Sequence, residues 1–165
     1  MSRAGHAGDE LGSALIGARL GHDAMALCFL MERRYAPYAK WFGTAFNQLS
    51  SAAQLTPHLQ VLLSAAHWPG REAALCEIGI QLAQFHNQLG LTPPQAAEVQ
   101  PFFSRPFKVI GAGRFVSALL ETITDPLVQN LVQRPLIGSI DQWSDNTDLR
   151  SNPEWRVAVR SFYRS

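Results

Sequence analysis

The chain has 165 residues, 47% of them hydrophobic and 16% charged, and a net charge of +1. That length and composition suit one globular domain with a sizeable core, and the near-neutral charge supplies no bulk field for DNA or an anionic membrane. The basic residues are 12 Arg and only 2 Lys, a skew toward planar, bidentate contacts over point charges.

Residues 1–8 are expected to be disordered, and the opening MSRAGHAGDE has no apolar core that would make it a signal peptide. Apolar residues at Leu11, Leu15, Ile16, Leu20, Met25, Phe29 and Leu30 recur at helical spacing, which predicts a long helix over Asp9–Arg34 capped by Asp9 or Ser13. Gly12, Gly17 and Gly21 each cost it about 1 kcal/mol, and close helix packing is the expected compensation. Pro37 suits the first turn of a second helix, Pro37–Leu49, followed by a loop over Asn47–Gln54. Thr56-Pro57 predicts a third helix to Trp68, broken by Pro69-Gly70, and a fourth runs from Arg71 to Leu89 with Gly90 as its C-cap.

Three prolines in LTPPQAAEVQPFF predict an irregular crossing. Phe107–Ile110 is the one persuasive strand. Helices follow over Arg114–Thr124 and from Asp125-Pro126 to Val132, then a turn-rich stretch over Arg134–Ser151 and a closing helix over Pro153–Tyr163. The sum is a mostly α fold: a bundle of five to seven helices with an irregular C-terminal third and at most one short strand pair, forming a single helical domain over 9–165. No apolar run approaches the ~20 residues of a membrane span, so no membrane contact is expected. Cys28 and Cys76 continue apolar helical stripes and form no CxxC, which predicts two buried, reduced thiols in a cytoplasmic protein.

Two motifs invite nucleotide chemistry and fall short of it. VIGAGRF (Val109–Phe115) imitates the opening of a dinucleotide fold, but Val116 stands where the third glycine belongs and no second strand follows. IGSIDQWSDNTD imitates a nucleotidyltransferase signature. Its acids, Asp141, Asp145 and Asp148, are spaced four and three apart. Two-metal chemistry needs two carboxylates on one strand face, two residues apart. Caps and Asx-turns are the expected role of these three acids. The five His residues show no HExxH or zinc spacing, and no nucleophile motif is complete. No metal site and no catalytic residue is therefore assigned. His86-Asn87 is expected to cap helix-end carbonyls.

The stretch MERRYAPYAKWFGTAF is the strongest candidate for ligand chemistry. Arg33 and Arg34 fall in the last turn of the long helix, where the dipole alone favours cations. Arg34, Tyr38 and Lys40 also lie within seven residues of one another around a proline-fixed corner. A guanidinium, a phenol and an ammonium gathered there suit an anion such as a triphosphate. Arg19 and Asp23, four apart on the long helix, form either a structural clip or an oriented carboxylate.

The segment DELGSALIGARLGHDAMALCFLMERRYAPYAKWFGTAF, with REAALCEIGIQLAQFHNQLGLT, RPFKVIGAGRF and IGSIDQWSDNTDL after it, resembles the bacterial domain-of-unknown-function family numbered 4037. The family's helical domain usually follows a nucleotidyltransferase-like domain whose Gly-Ser and Asp-x-Asp segment this chain lacks, so a truncated, split or stand-alone version is expected. The resemblance implies a helical accessory domain whose Arg33, Arg34, Tyr38, Lys40, Arg19 and Asp23 face nucleotide or substrate. Mg²⁺ and a nucleoside triphosphate would come with a catalytic partner domain, in cis or in trans, and isolated activity is not expected. The alternative is an interaction module that docks a separately encoded catalytic domain and has no ligand chemistry of its own.

Overall fold

A computed structural model describes residues 1–133 and 152–154 of the chain. The expectations for Arg134–Ser151, its three acids and nearly all of the closing helix lie outside the described residues. The chain divides into two compact units, Met1–Thr122 and Ile123–Ser165.

The first unit is built on α2, Glu10–Met31, the predicted long helix. Asp9 caps it by accepting the Gly12 N–H at 2.7 Å. Its glycines allow close packing as expected. A Cβ on Gly17 would lie 3.5 Å from Leu62 and from Arg71, and one on Gly21 3.3 Å from Leu62. The helices α4 (Ala52–Ser64) and α5 (Trp68–Gln88) pack on that side of α2 and on each other. The short α3 (Ala39–Phe46) supplies Phe42 and Phe46 to a core with Cys28, Phe29, Leu55, Leu59, Leu62 and Ile78.

Residues 2–6, expected to be disordered, form a short helix, α1 (Ser2–His6). Gly5 is buried there, and a Cβ on it would meet Trp68 at 2.2 Å. His6, Trp68 and Phe107 form a cluster of edge-on rings with centroids 5.6–6.0 Å apart. Apolar periodicity was the wrong signal for a segment anchored by one ring cluster.

Two boundaries also move. The helix predicted from Pro57 begins at Ala52 and carries Pro57 inside it. An interior proline removes one ladder bond and crowds a carbonyl. Burial of Ala52 and Leu55 and a cap described below offset that cost. Pro69 does not break the chain; it sits in the first turn of α5, where no N–H is needed, and the break falls at Ala65–His67. Gly90, with φ +63°, ends α5 as predicted.

The crossing after α5 holds one antiparallel strand pair, β1 (Gln100–Pro101) with β2 (Lys108–Val109), in the register Gln100 to Val109 and Pro101 to Lys108. The helix α6 (Gly113–Glu121) follows. In the second unit, α7 (Pro126–Val132) is capped by Asp125, which accepts the Leu127 and Val128 N–H groups at 2.8 and 3.2 Å.

By length and composition, α2 is apolar enough to cross a membrane. Counting uninterrupted runs missed it because Arg19 and Asp23 divide the apolar residues, and a span tolerates a charge or two. In the fold, one side of this helix lies in the core.

Candidate functional site

The corner between α2 and α3 is closed by backbone bonds. The Arg34 N–H donates to the Phe29 carbonyl at 2.8 Å, and the Arg33 N–H to that of Leu30 at 3.1 Å. With Arg33 at φ +53°, these two bonds form a Schellman closure. Arg33 and Arg34 therefore lie just beyond the helix, not in its last turn. Glycine is the usual residue at such a position, and a non-glycine costs about 1–2 kcal/mol there. Tyr38 is the N-cap of α3, so Pro37 stands just outside that helix rather than in its first turn.

Both ends of this corner carry fixed polarity. Arg33 and Arg34 stand at the negative end of the α2 dipole, whereas Lys40, in the first turn of α3, adds its charge to a positive end. Its ammonium lies 5.2 Å from the centre of the Trp41 ring. Arg33, Arg34 and Lys40 are exposed, and so are Tyr35 (88%), Tyr38 (66%) and Trp41 (50%). Among the described residues, no hydrogen bond or ion pair holds the side chains of Arg33, Arg34 or Tyr38. Exposed rings beside unneutralised cations can stack on a base and pair with a phosphate.

Arg19 and Asp23 do not join this cluster. Arg34 is fifteen positions beyond Arg19, about 20 Å at 1.5 Å per residue. Asp23 lies 3.7 Å from His22, whose ring stacks on Phe42 at 4.6 Å. The six candidates thus divide into a corner group of four and a pair halfway along α2.

Sequence reasoning missed the best-organised polar group at the corner. The Glu32 carboxylate accepts the N–H and hydroxyl of Ser50 at 2.9 and 3.0 Å and those of Ser51 at 2.9 and 2.7 Å. It thereby caps α4 from the end of α2. Burial pushes the Glu32 carboxyl up, and these four bonds outweigh it, holding it below the usual carboxylate range. Adjacent serines before an apolar run were the available signal. Glu32, Ser50 and Ser51 line a cleft of about 230 Å³ with Cys28, Gln54 and Phe85.

A second missed cluster ties the other end of α2 to α5. Arg71, 3% exposed, pairs with the Glu10 carboxylate and donates to the Ser13 hydroxyl at 3.2 Å and the Ala65 carbonyl at 2.7 Å. Glu10 also accepts the Trp68 N–H at 3.2 Å, capping α5.

The remaining motifs are structural. Asn87 clamps the Gln95 backbone in both directions at 2.8 and 2.9 Å, and His86 bonds the Thr92 hydroxyl at 2.9 Å; neither caps a carbonyl of its own helix. In VIGAGRF, Gly111 turns at φ +66° against the Gln100 side chain, and Arg114 donates to the Glu98 carbonyl at 3.1 Å. Cys28 is fully buried, but Cys76 is only half-buried, its Sγ 3.9 Å from the Lys108 carbonyl, so one of the two predicted core thiols faces solvent. Burial raises both thiols above their usual range. Among the described residues, no three His, Cys, Asp or Glu side chains converge on a metal position.

Residues 1–42 match a family described as a domain of unknown function, DUF4037. The matched segment covers α1, α2 and the whole corner through Phe42. No curated protein and no solved structure matches the chain.

Proposed function

We propose that this chain is the helical accessory part of a nucleotidyltransferase-like protein and that its α2–α3 corner contacts the phosphates of a nucleotide or of the acceptor substrate. Arg33, Arg34 and Lys40 supply charge, and Tyr38 supplies a hydroxyl and a ring. The chain contributes these contacts and performs no transfer alone; a catalytic domain, in cis or in trans, brings the paired carboxylates and Mg²⁺. Arg19 and Asp23 have no part in the phosphate contacts.

One observation carries this reading. Three cations and three aromatic rings stand exposed at a corner held by a strained arginine. Backbone outliers of that kind cluster at ligand sites. The family match spans the same segment. Titrating ATP into the isotope-labelled chain tests it. Amide signals of Arg33 to Trp41 should move together, and a titration that leaves them in place refutes the reading.

A second reading has its own support. Leu11 (74%) and Leu30 (73%) lie with Leu15, Ile16 and Leu27 on the exposed side of α2. Five exposed large apolar side chains on one helix suggest a contact face, which favours an interaction module docking a separate catalytic domain.

A further inference from the structure

We propose that the cleft beside the α2–α3 corner receives the base of the nucleotide whose phosphates the corner contacts. The proposal rests on the reading above, that Arg33, Arg34 and Lys40 take phosphate, and it commits the site to a nucleotide bound with its base inward.

Three helices wall this cleft. The end of α2 supplies Met31 and Glu32, the first turn of α4 supplies Gln54, and the end of α5 supplies Phe85 and Gln88, with Leu89 just beyond. Met31 and Phe85 are half-buried and pack on the core, so each leaves an apolar side to the cleft. The bonds from Ser50 and Ser51 to Glu32 lock α2 to α4 here, so the walls are formed in advance of any ligand. At about 230 Å³ the cleft is smaller than the roughly 300–1,000 Å³ of a site for a drug-sized ligand. A single flat ring system suits it. A whole nucleotide does not, so sugar and phosphates must lie outside.

The polar groups of the cleft select a neutral ring. The carboxamides of Gln54 and Gln88 are exposed, and among the described residues no hydrogen bond holds either one. Each offers donors and an acceptor without charge, the pattern that pairs with the edge of a base. The Glu32 carboxylate repels phosphate. It offers an ammonium little, because the two serines already fill its roughly four acceptor positions. Arg33 and Arg34 follow Glu32 directly, so their backbone stands within about 7 Å of the cleft wall. An anion at the cleft and cations at the corner thus set one orientation, base in and phosphate out. The corner rings Tyr35, Tyr38 and Trp41 offer faces to stack on but, at 50% exposure or more, no enclosure.

Calorimetric titration of the full chain with ATP, GTP, CTP, UTP and inorganic tripolyphosphate tests this, with folding of each variant checked by circular dichroism. At least one nucleotide should bind about tenfold or more tighter than tripolyphosphate, which has no base to stack or pair. Gln54→Ala/Gln88→Ala should remove that advantage and leave tripolyphosphate affinity unchanged, whereas Arg34→Ala should weaken both. If tripolyphosphate binds as tightly as every nucleotide, the proposal is overturned and the phosphate reading stands. An advantage that survives the double substitution, or that is lost instead with Trp41→Ala, places the base on the corner rings and also overturns the proposal. A nucleotide released by Gln54→Ala/Gln88→Ala but indifferent to Arg34→Ala and Lys40→Ala keeps the base in the cleft and refutes the phosphate reading. If neither tripolyphosphate nor any nucleotide binds, both fall.

Discussion

Glu10 reaches from the first turn of α2 to the guanidinium of Arg71, one turn into α5, and so clips together two helices whose residues are 61 positions apart in sequence. Arg71 is almost wholly enclosed, and Glu10 is about one-third exposed. The pair is not an isolated bridge, because Ser13 and the Ala65 carbonyl take other donors of the same guanidinium. Removing its anion leaves a buried cation without compensation.

Glu10→Gln should therefore lower unfolding free energy by about 3 kcal/mol, the lower end for breaking a buried pair, because Glu10 is partly solvated. Arg71→Met, which removes the charge and keeps the stem, should cost less than Glu10→Gln. Urea denaturation of both variants measures this. Equal stability for Glu10→Gln and the parent would show that water already satisfies Arg71.

The Glu32 cap makes stability depend on acid. Its carboxyl titrates lower in the folded chain than in the unfolded one. That stabilisation is complete above the unfolded value, near pH 4.3, and is lost as pH falls through the folded value. Glu32→Gln should remove this acid-sensitive component and cost about 1–2 kcal/mol at neutral pH. Denaturation midpoints from pH 7 down to pH 3 should converge for variant and parent. Parallel curves would contradict the assignment.

The two thiols should separate cleanly under a thiol reagent. Cys76 should label in the native chain and Cys28 only in denaturant, since the one is half-buried and the other fully enclosed. Both thiols titrate above their usual range, so labelling of Cys76 should be slow at neutral pH and accelerate in alkali. Native labelling of Cys28 would show that the core opens at α2.

Arg33→Gly probes the strained corner. Relief of the left-handed conformation should stabilise the chain by about 1 kcal/mol, while removal of the guanidinium should weaken phosphate binding. Thermal denaturation and ATP titration read the two effects separately. A loss of stability would mean that the Arg33 side chain holds the corner.

The sequence made some of this legible for identifiable reasons. The long apolar-rich helix α2, Gly90 as a stop and Asp125-Pro126 as a start follow from local chemistry, and each lies where expected. The start of α4 was misplaced because its cap comes from Glu32, eighteen positions before Ser50. The helix α1 was missed because it is held by Trp68 and Phe107, neither of them near in sequence. The candidate corner was visible as composition, while the left-handed Arg33 and the Glu32 cap beneath it needed tertiary structure. Arg19 and Asp23 were grouped with the corner because separation along a helix was not converted to distance.

The central claim is that the α2–α3 corner binds phosphate. Calorimetric titration of ATP into the parent, Arg34→Ala, Lys40→Ala and Arg105→Ala tests it most directly, since Arg105 stacks near Phe102 on β1's loop, outside the corner. A charge-assisted contact contributes roughly 1.5–3 kcal/mol. The first two substitutions should therefore weaken binding about tenfold or more with stability unchanged, and Arg105→Ala should match the parent. Equal affinity across all four proteins would contradict the account and leave the corner as a solvated helix end.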